Sequence, residues 1–211
     1  MNGWRTKLAM KKSDEKRRNI VDTAYRLFRE QGFDNTSMSQ INAQVGGSKA
    51  TIYGYFSSKE ELFAECMSDM ADRYMEGVLT ELEDVGADPI ATLHRFGEKF
   101  LQIICSADVV AVQRLMVAEA GRAGVGKMFF LKLRSMRHNV SAFLAHCMET
   151  GHLRPADTGL AAEQLRALLQ AEVLEPLLLC VDNVAPDEKT TVAAAERAIG
   201  TFLKAYAPAG A

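Results

Sequence analysis

Between positions 48 and 59 the chain reads Ser-Lys-Ala-Thr-Ile-Tyr-Gly-Tyr-Phe-Ser-Ser-Lys, a stretch suited to hydrogen bonding and charge pairing rather than bond making. Lys49 and Thr51 can reach base edges or phosphates, while small Ala50 and Gly54 permit close approach to a groove. Tyr53 and Tyr55 offer phenolic hydroxyls to phosphates, and Lys59 adds a cation a few residues on. Thr36, Ser37 and Ser48 precede short helical patterns, where a hydroxyl can cap the helix and the first amides can hold a phosphate. Catalytic patterns are missing. There is no Gly-rich phosphate loop, no G-x-S-x-G, no HExxH and no clustered His, Asp and Glu, so neither an enzyme nor a cofactor is expected. Cys66, Cys105, Cys147 and Cys180 lie far apart without a CxxC pair, which argues against a metal site and predicts buried small hydrophobes.

Charge points the same way. The formal net charge of −2 conceals eleven Lys and Arg against six acids in residues 1–60, a balance of +5, which leaves −7 for the rest. A basic front on an acidic body predicts that only the front meets a polyanion. A purely architectural DNA-binding protein would be basic throughout. No apolar run approaches the ~20 residues of a membrane span, and the basic start is not followed by the apolar core of a signal peptide, so a cytoplasmic location without a membrane partner is expected.

These side chains must be carried by helices. Ile20, Ala24, Leu27 and Phe28 recur on one helical face, with Ser13 as a candidate cap and Gly32 as a stop. Ser37-x-x-Gln40 and Ser58-x-x-Glu61 have the form of capping boxes, and Gly46-Gly47 breaks the chain between two short helices. Met38, Ile41, Ile52 and Phe56 can join the Ile20–Phe28 face in a three-helix core. Further helical patterns open at Asp88-Pro89, Asp108, near Phe129, at Asp157 (running to Val181, with a kink expected at Pro176) and after Pro186. Period-two strand signals are absent. The expected fold is all-α with about nine helices: a basic arm over 1–12, a helix-turn-helix domain over 13–60 and a helical body over 61–211.

The segment from Gly32 to Phe63 resembles the tetracycline-repressor (TetR) family of bacterial regulators. The similarity lies in Gly32-Phe33-x-x-Thr36-Ser37-Met38-x-x-Ile41, Gly46-x-Ser48-Lys49-x-Thr51-Ile52-Tyr53-x-Tyr55-Phe56 and Lys59-Glu60-Glu61-Leu62-Phe63. Three positions depart from the family pattern. Asn42 and Val45 stand where small alanines are common, and Gly47 replaces an apolar residue that packs beneath the turn. They predict a loosened turn or a shifted recognition helix, so base preference does not carry over.

The resemblance implies double-stranded DNA as a partner, a small-molecule inducer, and a homodimer formed through the last two long helices. A palindrome-binding repressor is the leading reading, with an activator or an architectural protein without an inducer as the alternative. The candidate dimer face is Leu165, Leu169, Val173 and Leu177 together with Val192, Ala195, Ile199, Phe202 and Tyr206, the latter set on a 3-4 repeat suited to helix packing. Phe96, Phe100, Met116, Phe129, Met136 and Phe143 could line a ligand pocket, with Arg114, Glu119 and His138 as polar handles, although Met and Phe at helical spacing also make plain core.

Overall fold

Helix signals along the chain become ten helices in the computed structural model, which describes residues 3–83, 88–122, 124–181 and 184–208. They are α1 (Gly3–Gln31), α2 (Met38–Val45), α3 (Lys49–Tyr55), α4 (Lys59–Glu83), α5 (Pro89–Ile104), α6 (Ala107–Glu119), α7 (Val125–Glu149), α8 (Thr158–Gln170), α9 (Leu174–Leu178) and α10 (Glu188–Tyr206). Among the described residues there is no strand, and no single helix is long and apolar enough to cross a membrane. The chain divides into two compact units. One comprises Met1–Met70 with Leu115–Phe129, the other Ala71–Arg114 with Phe130–Ala211.

In the first unit the expected core forms. Ile20, Ala24, Leu27, Phe28, Ile41, Ile52 and Phe56 are all buried, and Phe28, Phe33 and Phe63 close an aromatic cluster with ring centroids 5.1–5.7 Å apart. Edge-to-face and offset contacts of this kind add roughly 0.5–1.5 kcal/mol per pair beyond burial. Helix α1 starts ten residues before the expected Ser13 cap, so the proposed arm over 1–12 is helical from Gly3 onward. The side chains of Trp4, Arg5, Lys7 and Lys12 lie outside the described residues.

The second unit packs α5 on α10 and α8, with Leu93, Leu101, Leu165, Ala195, Ile199 and Phe202 in its core. Asp88 caps α5, accepting hydrogen bonds from the Ile90 and Ala91 amides, and Pro89 follows in the first turn, where no amide is needed. Asp157 and Asp187 cap α8 and α10 in the same manner. Gly97 sits where α5 meets α10: a Cβ there would lie 2.6 Å from Ile199 Cδ1 and 3.2 Å from Leu169 Cδ2. Only glycine permits that approach without displacing a neighbour.

Three expectations for this unit are corrected. The single helix over 157–181 is broken into α8 and α9, because Pro176 cannot continue an i→i−4 ladder and instead occupies the first turn of a new helix. Leu165, Leu169, Leu177, Ala195, Ile199, Phe202 and Tyr206 are buried in the protomer's own core, and Val173 and Val192 are only half-buried, so the expected dimer face points inward. Cys66, Cys105 and Cys147 are buried as expected, but Cys180 is exposed just after α9, with φ at +58°.

Candidate nucleic-acid interface and ligand cavity

Two short helices, α2 and α3, form the helix-turn-helix, and each starts on a serine. Ser37 Oγ accepts from the Gln40 amide while the Gln40 side chain returns to the Ser37 amide, a complete capping box. Ser48 Oγ accepts from the Thr51 amide and lies 3.0 Å from Thr51 Oγ1. Between the helices Gly46 has φ +72° and Gly47 φ +125°, conformations that L side chains rarely adopt. The Gly-Gly pair is therefore required by the turn.

The turn carbonyls have dedicated donors. Lys16 Nζ on α1 donates to Gly46 O at 2.7 Å and to Val45 O at 3.3 Å, which also sets a cation at the negative end of α2. Asn42 Nδ2 donates to Gly47 O at 3.2 Å. Ser13 Oγ on α1 lies 3.2 Å from Tyr55 Oη. Ser13 and Lys16 thus act as braces, where the sequence pattern points only to a cap and to general basic charge. Their signal was present, since positions 13, 16 and 20 share one helical face and Ile20 is the first core residue.

Ile52 and Phe56 anchor α3 in the core, and this leaves Ser48, Lys49, Ala50, Tyr53 and Gly54 exposed, with Thr51 and Tyr55 half-buried. Ser37 is also exposed at the start of α2. Tyr53 is 44% exposed, unusually open for an aromatic, and Lys49 Nζ lies 6.0 Å from its ring centroid. Two expected contacts are recast. Thr36 is only 1% exposed, and its hydroxyl donates to Gly32 O at 2.8 Å, so it locks the α1–α2 loop rather than facing outward. Lys59 Nζ donates to Phe33 O at 2.8 Å and lies 4.1 Å from the Phe33 ring centroid, a structural task at the same loop.

The loop also touches the α6–α7 corner, which belongs to the same unit. Arg122 Nη2 donates to Asp34 Oδ2 at 2.9 Å, its guanidinium stands 5.2 Å from the Phe33 ring centroid, and it pairs with Glu119. Residues 115–129 are thus packed with the DNA-binding helices, although α6 begins and α7 ends in the other unit.

In the second unit a cavity of about 20 Å³ lies among α5, α7 and α8. Of the residues expected at a ligand pocket, Phe96, Phe100 and Met136 line it, joined by Val140, Ala162, Leu165 and Leu169. The expected polar handles are elsewhere. Arg114 donates to Leu177 O and Leu178 O at the end of α9, and His138 is exposed. Met116, Glu119 and Phe129 belong to the first unit, and Phe143 is buried in the same core without lining the cavity. The polar groups at the cavity are instead Arg137 and Arg166, neither singled out by the sequence reading. A charged residue directly after Met136 on α7 was the available hint. Among the described residues no group of His, Cys, Asp and Glu could hold a metal ion.

A braced, exposed second helix after a two-glycine turn defines a DNA-binding helix-turn-helix regulator. Comparison with known proteins gives the family. Residues 20–66 match the model of bacterial regulatory proteins of the tetR family, and residues 91–208 match the C-terminal domain of AefR-like transcriptional repressors. The chain belongs to the TetR family of transcriptional regulators.

Among curated relatives, the regulator RutR of Escherichia coli O157:H7 is 28% identical over 67% of this chain and 66% of its own length. The biofilm operon negative regulator IcaR of Staphylococcus epidermidis is 29% identical over 39% of this chain, and the match spans 43% of IcaR. Among solved structures, the flavonoid-responsive regulator FrrA is 27% identical over 93% of this chain and all of its own, with a TM-score of 0.74. A TetR-family regulator from Mesorhizobium loti MAFF303099 has the same fold, with a TM-score of 0.85 at 22% identity, covering 92% of this chain and 98% of its own.

Proposed function

We propose that this protein is a repressor that binds a palindromic operator as a homodimer and is released by a small-molecule inducer. The observation that carries the DNA-binding half is the outer face of α3, where Lys49, Ala50, Tyr53 and Gly54 are exposed on a helix fixed from behind by Ile52 and Phe56. A helix so presented can enter a major groove, with small residues at the points of closest approach. The names of IcaR, a negative regulator, and FrrA, a flavonoid-responsive one, support repression and ligand response.

Dimerisation is assigned to the outward faces of α8 and α10, since their inward faces are consumed by the protomer core. An open groove of about 560 Å³ runs there, lined by Leu168, Ala171, Ala198 and Gly200 and by polar Glu196, Thr201, Lys204 and the Arg197–Glu172 ion pair. Small residues at the groove floor allow a second copy's helices to approach, and a two-fold axis makes each copy fill the other. The inducer acts by favouring a spacing of the two DNA-binding heads that no longer fits the operator.

The test is fluorescence anisotropy on the protein's own upstream DNA against an unrelated duplex, at several salt concentrations. Specific binding with steep salt dependence is expected. Lys49→Ala and Tyr53→Ala should each weaken specific binding by roughly tenfold, with the dimer mass unchanged in sedimentation. Equal affinity for both duplexes would favour the architectural reading, and an unchanged affinity in both variants would remove α3 as the recognition helix.

A further inference from the structure

We infer that the inducer is an amphipathic carboxylate, whose acid group takes the place that Glu163 now occupies between Arg137 and Arg166 and whose apolar body enters the cavity beneath them. This rests on the ligand-responsive reading above and adds the chemical class. Two guanidiniums share one carboxylate at the cavity. Arg137 Nη1 pairs with Glu163 Oε1, while Arg166 Nη2 and Nε donate to Glu163 Oε2 at 3.1 and 3.3 Å. Arg166 Nη1 is further held by Gln170 Oε1 at 2.6 Å. The cluster therefore keeps a net positive charge beside a lining that is otherwise apolar.

Arg137 carries the second signal. Its Nε is buried and has no hydrogen-bond partner. A buried guanidinium N–H without an acceptor is uncommon and costly, and an added carboxylate oxygen would satisfy it. The guanidinium also lies 5.3 Å from the ring centroid of Phe130, a half-exposed phenylalanine two turns nearer the start of α7, a contact that helps orient it. Planar carboxylates match such a fork in two-point contact, which a hydroxyl or an amine cannot do.

The cavity as it stands holds little more than one water-sized group. Its wall includes Met136, whose unbranched chain can change rotamer to admit a tail, and the stacked rings of Phe96 and Phe100, 5.9 Å apart, form its apolar face. Glu163 acts as the resident anion, so ligand entry breaks the Arg137–Glu163 pair that ties α7 to α8. A carboxylate is thereby read as a change in helix packing.

The experiment titrates the full-length protein by calorimetry with octanoate, octan-1-ol and octylammonium, in the wild type and in Arg137→Met and Glu163→Gln. Octanoate should bind roughly tenfold or more tightly than the alcohol, with the amine weakest. Arg137→Met should bring octanoate down to about the alcohol's level, and Glu163→Gln should strengthen octanoate several-fold, because it removes the competing carboxylate. The inference is overturned if the alcohol or the amine binds as tightly as octanoate, if none of the three binds, or if Arg137→Met leaves the order unchanged. Octanoate binding that needs Arg137 yet leaves operator affinity untouched would uphold the anion site and refute ligand-driven release. Release from the operator by alcohol and acid alike would refute the anion site and uphold release.

Discussion

The contact between α5 and α10 offers a sharp quantitative test, because one atom decides it. A methyl group added at Gly97 would fall 2.6 Å from Ile199 Cδ1, and both residues are enclosed, with Ile199 fully buried. Overpacking of this kind costs about 1–3 kcal/mol. Replacing glycine by alanine inside a helix returns about 1 kcal/mol, so Gly97→Ala alone should destabilise by about 0–2 kcal/mol. Ile199→Val removes the offending Cδ1 and by itself should cost about 0.5–1.5 kcal/mol through the void it leaves. In the double variant the new methyl fills that void, the 2.6 Å overlap is gone with only the milder 3.2 Å approach to Leu169 Cδ2 left, and most of the helix-propensity gain is realised. The double variant should then be at least as stable as Ile199→Val, with a coupling of about 1 kcal/mol or more in its favour. Urea unfolding followed by far-ultraviolet circular dichroism, at one fixed protein concentration, measures all four corners of the cycle. Additivity within about 0.5 kcal/mol would refute the close approach of the two helices at Gly97.

Thr36→Val keeps the shape and removes the hydroxyl that donates to Gly32 O, so it should lower stability by about 1 kcal/mol while the folded protein's affinity for its upstream DNA stays within about twofold. A large loss of affinity at unchanged stability, read by anisotropy and thermal melting together, would return Thr36 to the DNA surface. Thiol reactivity should separate the cysteines: at about pH 8 Cys180 should react quickly with a disulfide reagent and the other three only on unfolding. Burial pushes the Cys105 and Cys147 thiols up to about 11, and burial reinforced by Asp69, Glu65 and Asp22 raises Cys66 well above its usual range, so these three stay protonated as well as enclosed. More than one fast-reacting thiol per native chain would contradict this packing.

How much of this was legible in the sequence follows from the range of the interactions concerned. The Ser37 and Ser48 caps, the glycine turn and the Ile20–Phe28 face are set within a few residues, and their patterns survive in the structure almost unchanged. Thr36 was misread because a hydroxyl before a helix suits a phosphate as well as a cap, and only its burial beside Leu27 and Gly32 separates the two. The inward turn of Ile199 and Phe202 was hidden for another reason. An apolar 3-4 stripe states that a helix face is covered, not whether the cover comes from the same chain. Here α5 supplies it, and Gly97 marked the spot without announcing the partner. Arg137 and Arg166 escaped notice because their significance lies in converging from two helices on one carboxylate, which no local spacing records.

The departures of Asn42 and Gly47 from the family pattern are best understood together. Taken singly, each weakens the turn, since Asn42 is larger than alanine and Gly47 withdraws an apolar contact. In the structure Gly47 adopts φ +125°, which an apolar side chain at that position would resist, and its carbonyl is turned toward Asn42 Nδ2 at 3.2 Å. The preceding carbonyl, that of Gly46, is taken by Lys16 at 2.7 Å. The turn is held by side-chain hydrogen bonds from Asn42 and Lys16, those of Lys16 charge-assisted and anchored on α1. The recognition helix therefore keeps a fixed start while the glycine pair sets its own entry angle. The looseness expected from either residue alone is offset by the other, and the start of α3 is fixed by this pair together with Lys16.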